Sequence, residues 1–302
     1  MKITNEQISF VVQGPVQASV ERQQNVGITQ QCLQSIRHFF PDSPIILSTW
    51  KGQNLDGLTA DTILELDDPG PNCIFEDGKL KKLNNNRQLY SSHMGLKQVT
   101  TEYAVKIRTD NKLISRNFVT LYEKYADIPR QAGFDYLSSR VVTNSAFFVS
   151  SHSGKTVHFS KSDLFDFGKT QDLLVIWGDD MLSDLHFSKA KGHKSRYPST
   201  EQFLCLHWLE KLLGKKLYIH SKANDNAGLG DEFWPNFIAN NLIIDAPENI
   251  GLDVTERFYK RGKWALEYDL KDWLYLNGQI PQPVDLKRSI RFVKQGFHRL
   301  FN

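Results

Sequence analysis

Glu102-Tyr-Ala-Val-Lys-Ile-Arg-Thr-Asp110, preceded by Asn84-Asn-Asn-Arg87, is the stretch on which the fold turns. Tyr103, Val105 and Ile107 alternate with Ala104, Lys106 and Arg108, which is the period of a strand. Polar Asn111-Lys112 follows, so Asp110 stands where that strand gives way. An acidic residue at the carboxyl end of a buried strand is where α/β sheets put ligand chemistry. Asn85 to Val99 reads as a helix with a polar opening, which places Arg87 in its first turn. One cation and one carboxylate at the same sheet edge suit a phosphate bridged by a divalent metal. Taken alone, Asp110 also reads as a turn or helix-cap aspartate.

Working outward, Ile8-Ser-Phe-Val-Val12 is a short apolar run ending in Gln13-Gly14-Pro15, a loop signal. A helix follows, with Ile28, Cys32, Leu33, Ile36, Phe39 and Phe40 at helical spacing, and Pro41-Asp-Ser-Pro44 ends it. Pro44 to Trp50 and Thr62 to Leu66 are two further strands, the second stopped by Asp67-Asp-Pro-Gly-Pro71. Strands alternating with helices over this length predict a mostly parallel sheet covered by helices. Asn117 to Ala126 reads as a helix, Val141–Ser151 as β-rich, and 163–168 as a short polar–aromatic turn. Gln171 to Trp177 is read as a helix, Gly178 to Pro198 as a loop, and Ser199-Thr200-Glu201 as the start of an apolar helix through Leu213. The expected division is a domain over 1–250 and an aromatic, basic, helical extension over 251–302.

Composition narrows the class. The 302 residues carry a net charge of +3, too small to argue for nucleic acid as a partner. The three cysteines, Cys32, Cys73 and Cys205, lack CxxC spacing, which speaks against a zinc cluster or a disulfide framework. Cys32 and Cys205 fall in apolar helical patterns and read as buried thiols, which suits a reducing compartment. No apolar signal core opens the sequence, and no apolar run reaches membrane-spanning length. The expectation is a cytoplasmic protein. Several common sites are missing: Gly154-Lys-Thr156 lacks the first P-loop glycine, where Val149 stands, and there is no HExxH, GxSxG or GxGxxG.

The run Asn85–Arg87, Gly95-Leu96 and Tyr103 to Asp110 resembles the WavE family of lipopolysaccharide-synthesis proteins. Val11-Val-Gln-Gly-Pro15, Ile46-Leu-Ser-Thr-Trp50, Asp67-Asp-Pro-Gly70, Ser162-Asp163 with Phe167-Gly168, and Glu201-Gln202 match it too, in the same order over roughly residues 8–215. The resemblance implies a glycosyltransferase with a GT-A-like, Rossmann-like α/β fold, taking a nucleotide-sugar, expected to be UDP-linked, to a lipopolysaccharide-core or other surface glycan acceptor. In such folds an Asp-x-Asp motif ends the fourth strand and holds Mg²⁺ or Mn²⁺ on the donor diphosphate. Here the equivalent is Arg108-Thr109-Asp110, so only the last carboxylate remains. Either Asp110 keeps a metal while Arg108 contacts phosphate as a fork, or Arg87 and Arg108 neutralise the diphosphate without one.

The resemblance also assigns the remaining candidates. Gln13, Gly14 and Pro15 would meet the base and ribose, with Thr49 beside them; the bland reading of 13–15 is a strand-ending turn, and of Trp50 a core residue. Glu201 would be the base that deprotonates the acceptor, although Ser199-Thr200 followed by Glu-Gln equally reads as helix capping. Asp163 is the second candidate base, or a turn aspartate, and Asp179-Asp180 reads as a solvated acidic turn. Two alternatives stay open: a transferase using a CMP-linked donor, and a non-catalytic glycan- or nucleotide-binding subunit of an assembly complex. Leu286 to Phe301 reads as a basic amphipathic helix, able to lie on the inner face of a membrane or to pack on the parent domain.

Overall fold

The computed structural model describes residues 2–16, 25–76, 79–187, 198–259, 265–284 and 286–301. Its centre is a seven-stranded sheet. The strands are β1 (Ile8–Gln13), β2 (Ile45–Trp50), β3 (Thr62–Leu66), β4 (Tyr103–Arg108), β5 (Val141–Asn144), β6 (Phe165–Lys169) and β7 (Leu242–Asp245). They lie in the order β3-β2-β1-β4-β6-β5-β7. Only β6 runs against the others, pairing antiparallel with β4 and β5. The expected mostly parallel sheet flanked by helices is therefore present. β1 is buried at every position, as strands covered on both faces must be.

Among the described residues the α-helices of seven residues or more are α1 (Ile28–Phe39), α2 (Asn85–Leu96), α3 (Asn117–Tyr125), α4 (Thr170–Ile176), α5 (Thr200–Leu213), α6 (Phe233–Asn241), α7 (Leu270–Leu276) and α8 (Leu286–Phe301). α1 buries Thr29, Cys32, Leu33 and Ile36, one stripe at helical spacing. α2 lies tightly on β1 because Gly95 has no side chain: a Cβ there would sit 2.4 Å from Cγ1 of Val11. A cluster of rings from Phe10, Phe40, Phe118, Phe165 and Phe167 binds β1 and β6 to α3. Among the described residues, no helix is long and apolar enough to cross a membrane.

Two sequence expectations need correction, the turn at 163–168 and the loop from 178 to 198. Residues 163–168 are not a turn: Phe165–Lys169 is β6, the buried antiparallel strand between β4 and β5. Asp166 gave the stretch its polar look, but its carboxylate is matched inside by Lys161 Nζ at 2.6 Å and the Trp177 indole N–H at 2.9 Å. Asn72–Glu76 and Lys79–Leu83 form a hairpin whose second strand is exposed up to the buried Leu83, and its lysines conceal it from any apolar pattern. Leu185–Phe187 joins it as a third strand, within the stretch read as a loop, and 188–197 of that loop lie outside the described residues. Residues after 250 return to the body. Ala265–Glu267 pairs with Val149–His152, and Trp273 is wholly buried, its indole donating to the Leu242 carbonyl.

Candidate active site

The strand order reverses between β1 and β4, where a parallel sheet leaves a crevice at its carboxyl edge. Gln13, the last residue of β1, pairs with Arg108, the last of β4. A cavity of about 440 Å³ opens there. Gln13, Gly14 and Pro15 line it together with Arg87, Arg108, Asp163 and Glu201, so elements far apart in sequence meet at one rim. Thr109 stitches the floor: its N–H donates to the Gln13 carbonyl at 3.0 Å and its hydroxyl to the Pro15 carbonyl at 2.8 Å. Gly14 has φ +122°, and a Cβ there would lie 3.1 Å from Thr109 Oγ1, so both backbone and space call for glycine. Gln13 is fixed by the Ser91 hydroxyl, which donates to its Oε1 at 2.9 Å.

One wall is cationic, and each cation is held in a fork. Arg108 donates from Nε to Asp110 Oδ1 at 2.9 Å and from Nη2 to Oδ2 at 2.8 Å. Burial draws the guanidinium down and Asp110 more than offsets it, so the group stays charged. A guanidinium carries five N–H donors, and this fork occupies only two. The ring of Phe258 lies 5.2 Å from the guanidinium carbon. Arg87 makes the same fork to Asp68, at 2.7 and 2.6 Å, and donates to Asn84 Oδ1 at 2.8 Å. Those hydrogen bonds hold the Asp68 carboxyl below the usual carboxylate range. The amino end of α2 faces the same cavity through Asn84, Arg87 and Gln88, with no acidic residue in its first turn. The amino end of the helix dipole adds partial positive charge.

The other wall is acidic. Glu201 stands half-buried in the first turn of α5, and Asp163 is 9% exposed. Burial, and next the charge of Asp163, push the Glu201 carboxyl above its ordinary range. Ser199 and Gln202 form the capping box of α5, and the Glu201 carboxylate also accepts hydrogen bonds from Ser199 and from its own backbone N–H. Asp163 is held through its backbone: its carbonyl accepts from Lys106 Nζ and from Gln88 Nε2.

A family model described as WavE lipopolysaccharide synthesis matches residues 8–301. The chain belongs to this WavE family. No curated protein matches it. Among solved structures, the crystal structure of S. aureus TarS aligns with 98% of this chain at 8% identity and a TM-score of 0.36. The WavE-family chain spans 44% of that TarS chain. TarS 1–349 in complex with UDP-GlcNAc aligns over 96% of this chain and 79% of its own, at 9% identity and a TM-score of 0.35.

Two of the site residues expected for this WavE-family chain, Asp110 and Thr49, do not line the cavity. Asp110 is 1% exposed, both its oxygens accept from Arg108, and it is Arg108 that lines the cavity. Among the described residues no group of three His, Cys, Asp or Glu could hold a metal ion. The Mg²⁺ or Mn²⁺ expected on Asp110 would have to compete with the Arg108 fork for both carboxylate oxygens, because an arginine stands at the first position of the motif. Thr49 is wholly buried, its hydroxyl accepting from Gln53 Nε2 at 2.9 Å, and it is Trp50 that reaches the cavity. Asp179 and Asp180 are exposed and paired with Lys211, at 3.5 and 3.0 Å, as a solvated turn should be.

Sequence reading missed Asp68, Gln88 and Phe258 at the cavity, and Lys106 beneath it. Lys106 is wholly buried in β4, its Nζ 4.0 Å from the centre of the Trp177 ring. Burial pulls its pKa down to about 7. The signal was available: a lysine between Val105 and Ile107, in a strand central to the sheet, has no solvent face to occupy.

Proposed function

We propose that this WavE-family chain is a glycosyltransferase that moves a sugar from a nucleotide donor, UDP-linked in the first instance, to a lipopolysaccharide-core or other surface-glycan acceptor. One observation carries the reading: two arginine forks and a pair of carboxylates face each other across a single cavity at the switch point of the sheet. The family membership supports it. Gln13, Gly14, Pro15 and Trp50 take the nucleoside. Arg87, Arg108 and the amino end of α2 take the diphosphate and stabilise the charge that grows on it as the bond to the sugar breaks. Glu201 accepts the proton of the acceptor hydroxyl as that oxygen bonds to the anomeric carbon. Asp163 holds Glu201 basic enough to do so and lies within reach of the sugar hydroxyls. No step in this scheme needs a metal, since the guanidinium of Arg108 stands in for one.

The Arg108–Asp110 fork also favours a second reading, a CMP-linked donor, whose single phosphate asks less of the cationic wall. A panel of nucleotides separates the two. UDP, UDP-sugars, CMP and CMP-sugars are compared for thermal stabilisation with EDTA or Mn²⁺, followed by assay of donor hydrolysis. We expect a uridine diphosphate to raise the melting temperature equally in EDTA and in Mn²⁺, and Arg108→Ala to abolish the rise. Stabilisation by cytidine nucleotides alone would move the proposal to the second donor class. Binding without hydrolysis or transfer would make the chain a nucleotide-binding subunit instead.

A further inference from the structure

The apolar stripe of α8 is not packed on the body of the protein. Leu286 is 76% exposed, Ile290 46%, Val293 58% and Phe297 59%. These positions recur at helical spacing and so share one side of α8. With Val284 they make up five of the twelve large hydrophobic side chains exposed among the described residues. The helix also carries five cations and no Asp or Glu: Lys287, Arg288, Arg291, Lys294 and Arg299 fall within 286–301. The helix is not adrift. Arg288 Nη2 meets Asp269 Oδ2 at 2.5 Å and the same guanidinium pairs with Asp272, tying the first turn of α8 to the amino end of α7.

We propose that α8 is a membrane-surface element that docks on an anionic lipid bilayer. The apolar stripe enters the boundary between headgroups and acyl chains, and the basic residues are drawn to the lipid phosphates. A helix of sixteen residues with five cations lies along a bilayer and does not cross it. Charge decides against the other obvious occupant, a second α8, because two such helices face to face would bring like charges together. The inference does not rest on the transferase reading.

The test uses the full chain and sedimentation with vesicles of phosphatidylcholine, alone or mixed with phosphatidylglycerol. We expect binding to the mixed vesicles only, weakened by salt, and a loss of at least about tenfold in Ile290→Asp/Phe297→Asp. Lys294→Gln should lose less, about fivefold. Both changes replace exposed side chains, so circular dichroism and melting temperature should match the parent. Absence of binding by the parent, equal binding by parent and double variant, or equal binding to neutral and mixed vesicles would each overturn the proposal. So would a parent dimer that the double variant dissolves without any vesicle binding, which would assign the face to a second copy.

Discussion

Glu201 and Asp163 bring two carboxylates to one wall, and their mutual repulsion gives the proposed reaction a readable pH dependence. A base works ionised, so turnover is present above its folded pKa and lost as pH falls through it. Burial and Asp163 raise the Glu201 pKa, so the acid limb of the kcat profile should fall above the ordinary carboxylate range. Replacing Asp163 with Asn removes a negative neighbour, favours the ionised form of Glu201 and should move that limb to lower pH. Glu201→Gln should lower kcat by about 10²–10⁴-fold. A limb that stays in place in Asp163→Asn, or a loss under about tenfold in Glu201→Gln, would remove Glu201 from the role. These candidates were legible because each is an acid or base where an element begins or ends. The pairing of Arg108 with Asp110 was within reach too: residues two apart at a strand end point the same way, and opposite charges there find each other. Thr49 against Trp50 is the same period read one step out of phase. What stayed hidden were the partners of Lys106, Asp163 and Trp177, which lie far away in sequence.

Helix α2 presents Arg87 and Gln88 to the cavity, and its distance from the sheet sets where they stand. That distance is fixed by Gly95, over Val11 of β1 and Ser48 of β2, and by the Ser48 hydroxyl donating to the Ser91 carbonyl at 2.7 Å. Two effects oppose each other in Gly95→Ala. Helix propensity favours alanine by about 1 kcal/mol. The added Cβ, at 2.4 Å from Val11 Cγ1 and 3.4 Å from Ser48 Cβ, forces α2 away from the sheet, and overpacking costs about 1–3 kcal/mol. Overpacking should win, giving a net loss of up to about 2 kcal/mol by urea unfolding, together with weaker nucleotide stabilisation as Arg87 shifts. Equal or higher stability would show that α2 tolerates lifting. At this scale the first four parallel strands and α1 to α5 followed their apolar periods. β6 did not, because Asp166 is neutralised inside the protein by a lysine only five residues earlier, a pairing that alternation of polarity cannot announce.

The whole molecule closes on residues that come after 250. Trp273 is wholly buried against Tyr125, with ring centres 5.4 Å apart, and the buried guanidinium of Arg140 lies 5.7 Å from the Trp273 ring. Arg140 is in turn held by the carbonyls of Ala239, at 2.9 Å, and Ala126, at 3.0 Å, so it joins α3, α6 and α7 behind β7. Removing a buried tryptophan costs about 3–5 kcal/mol, a large share of a typical domain's stability. α8 contributes in a different way, through the half-exposed ion pairs of Arg288, which are worth about 1 kcal/mol or less. Two truncations should therefore behave oppositely. A chain ending at residue 284 should unfold cooperatively within about 1 kcal/mol of the full chain. A chain ending at 264 loses the strand Ala265–Glu267 and Trp273, leaves Arg140 without its cover, and should be insoluble or lack a cooperative transition. The measurement is urea unfolding followed by tryptophan fluorescence and circular dichroism together. A shorter chain that unfolds in one step at the same midpoint would mean that the core closes without α7. The ion pairs would then have to be reweighed against the packing.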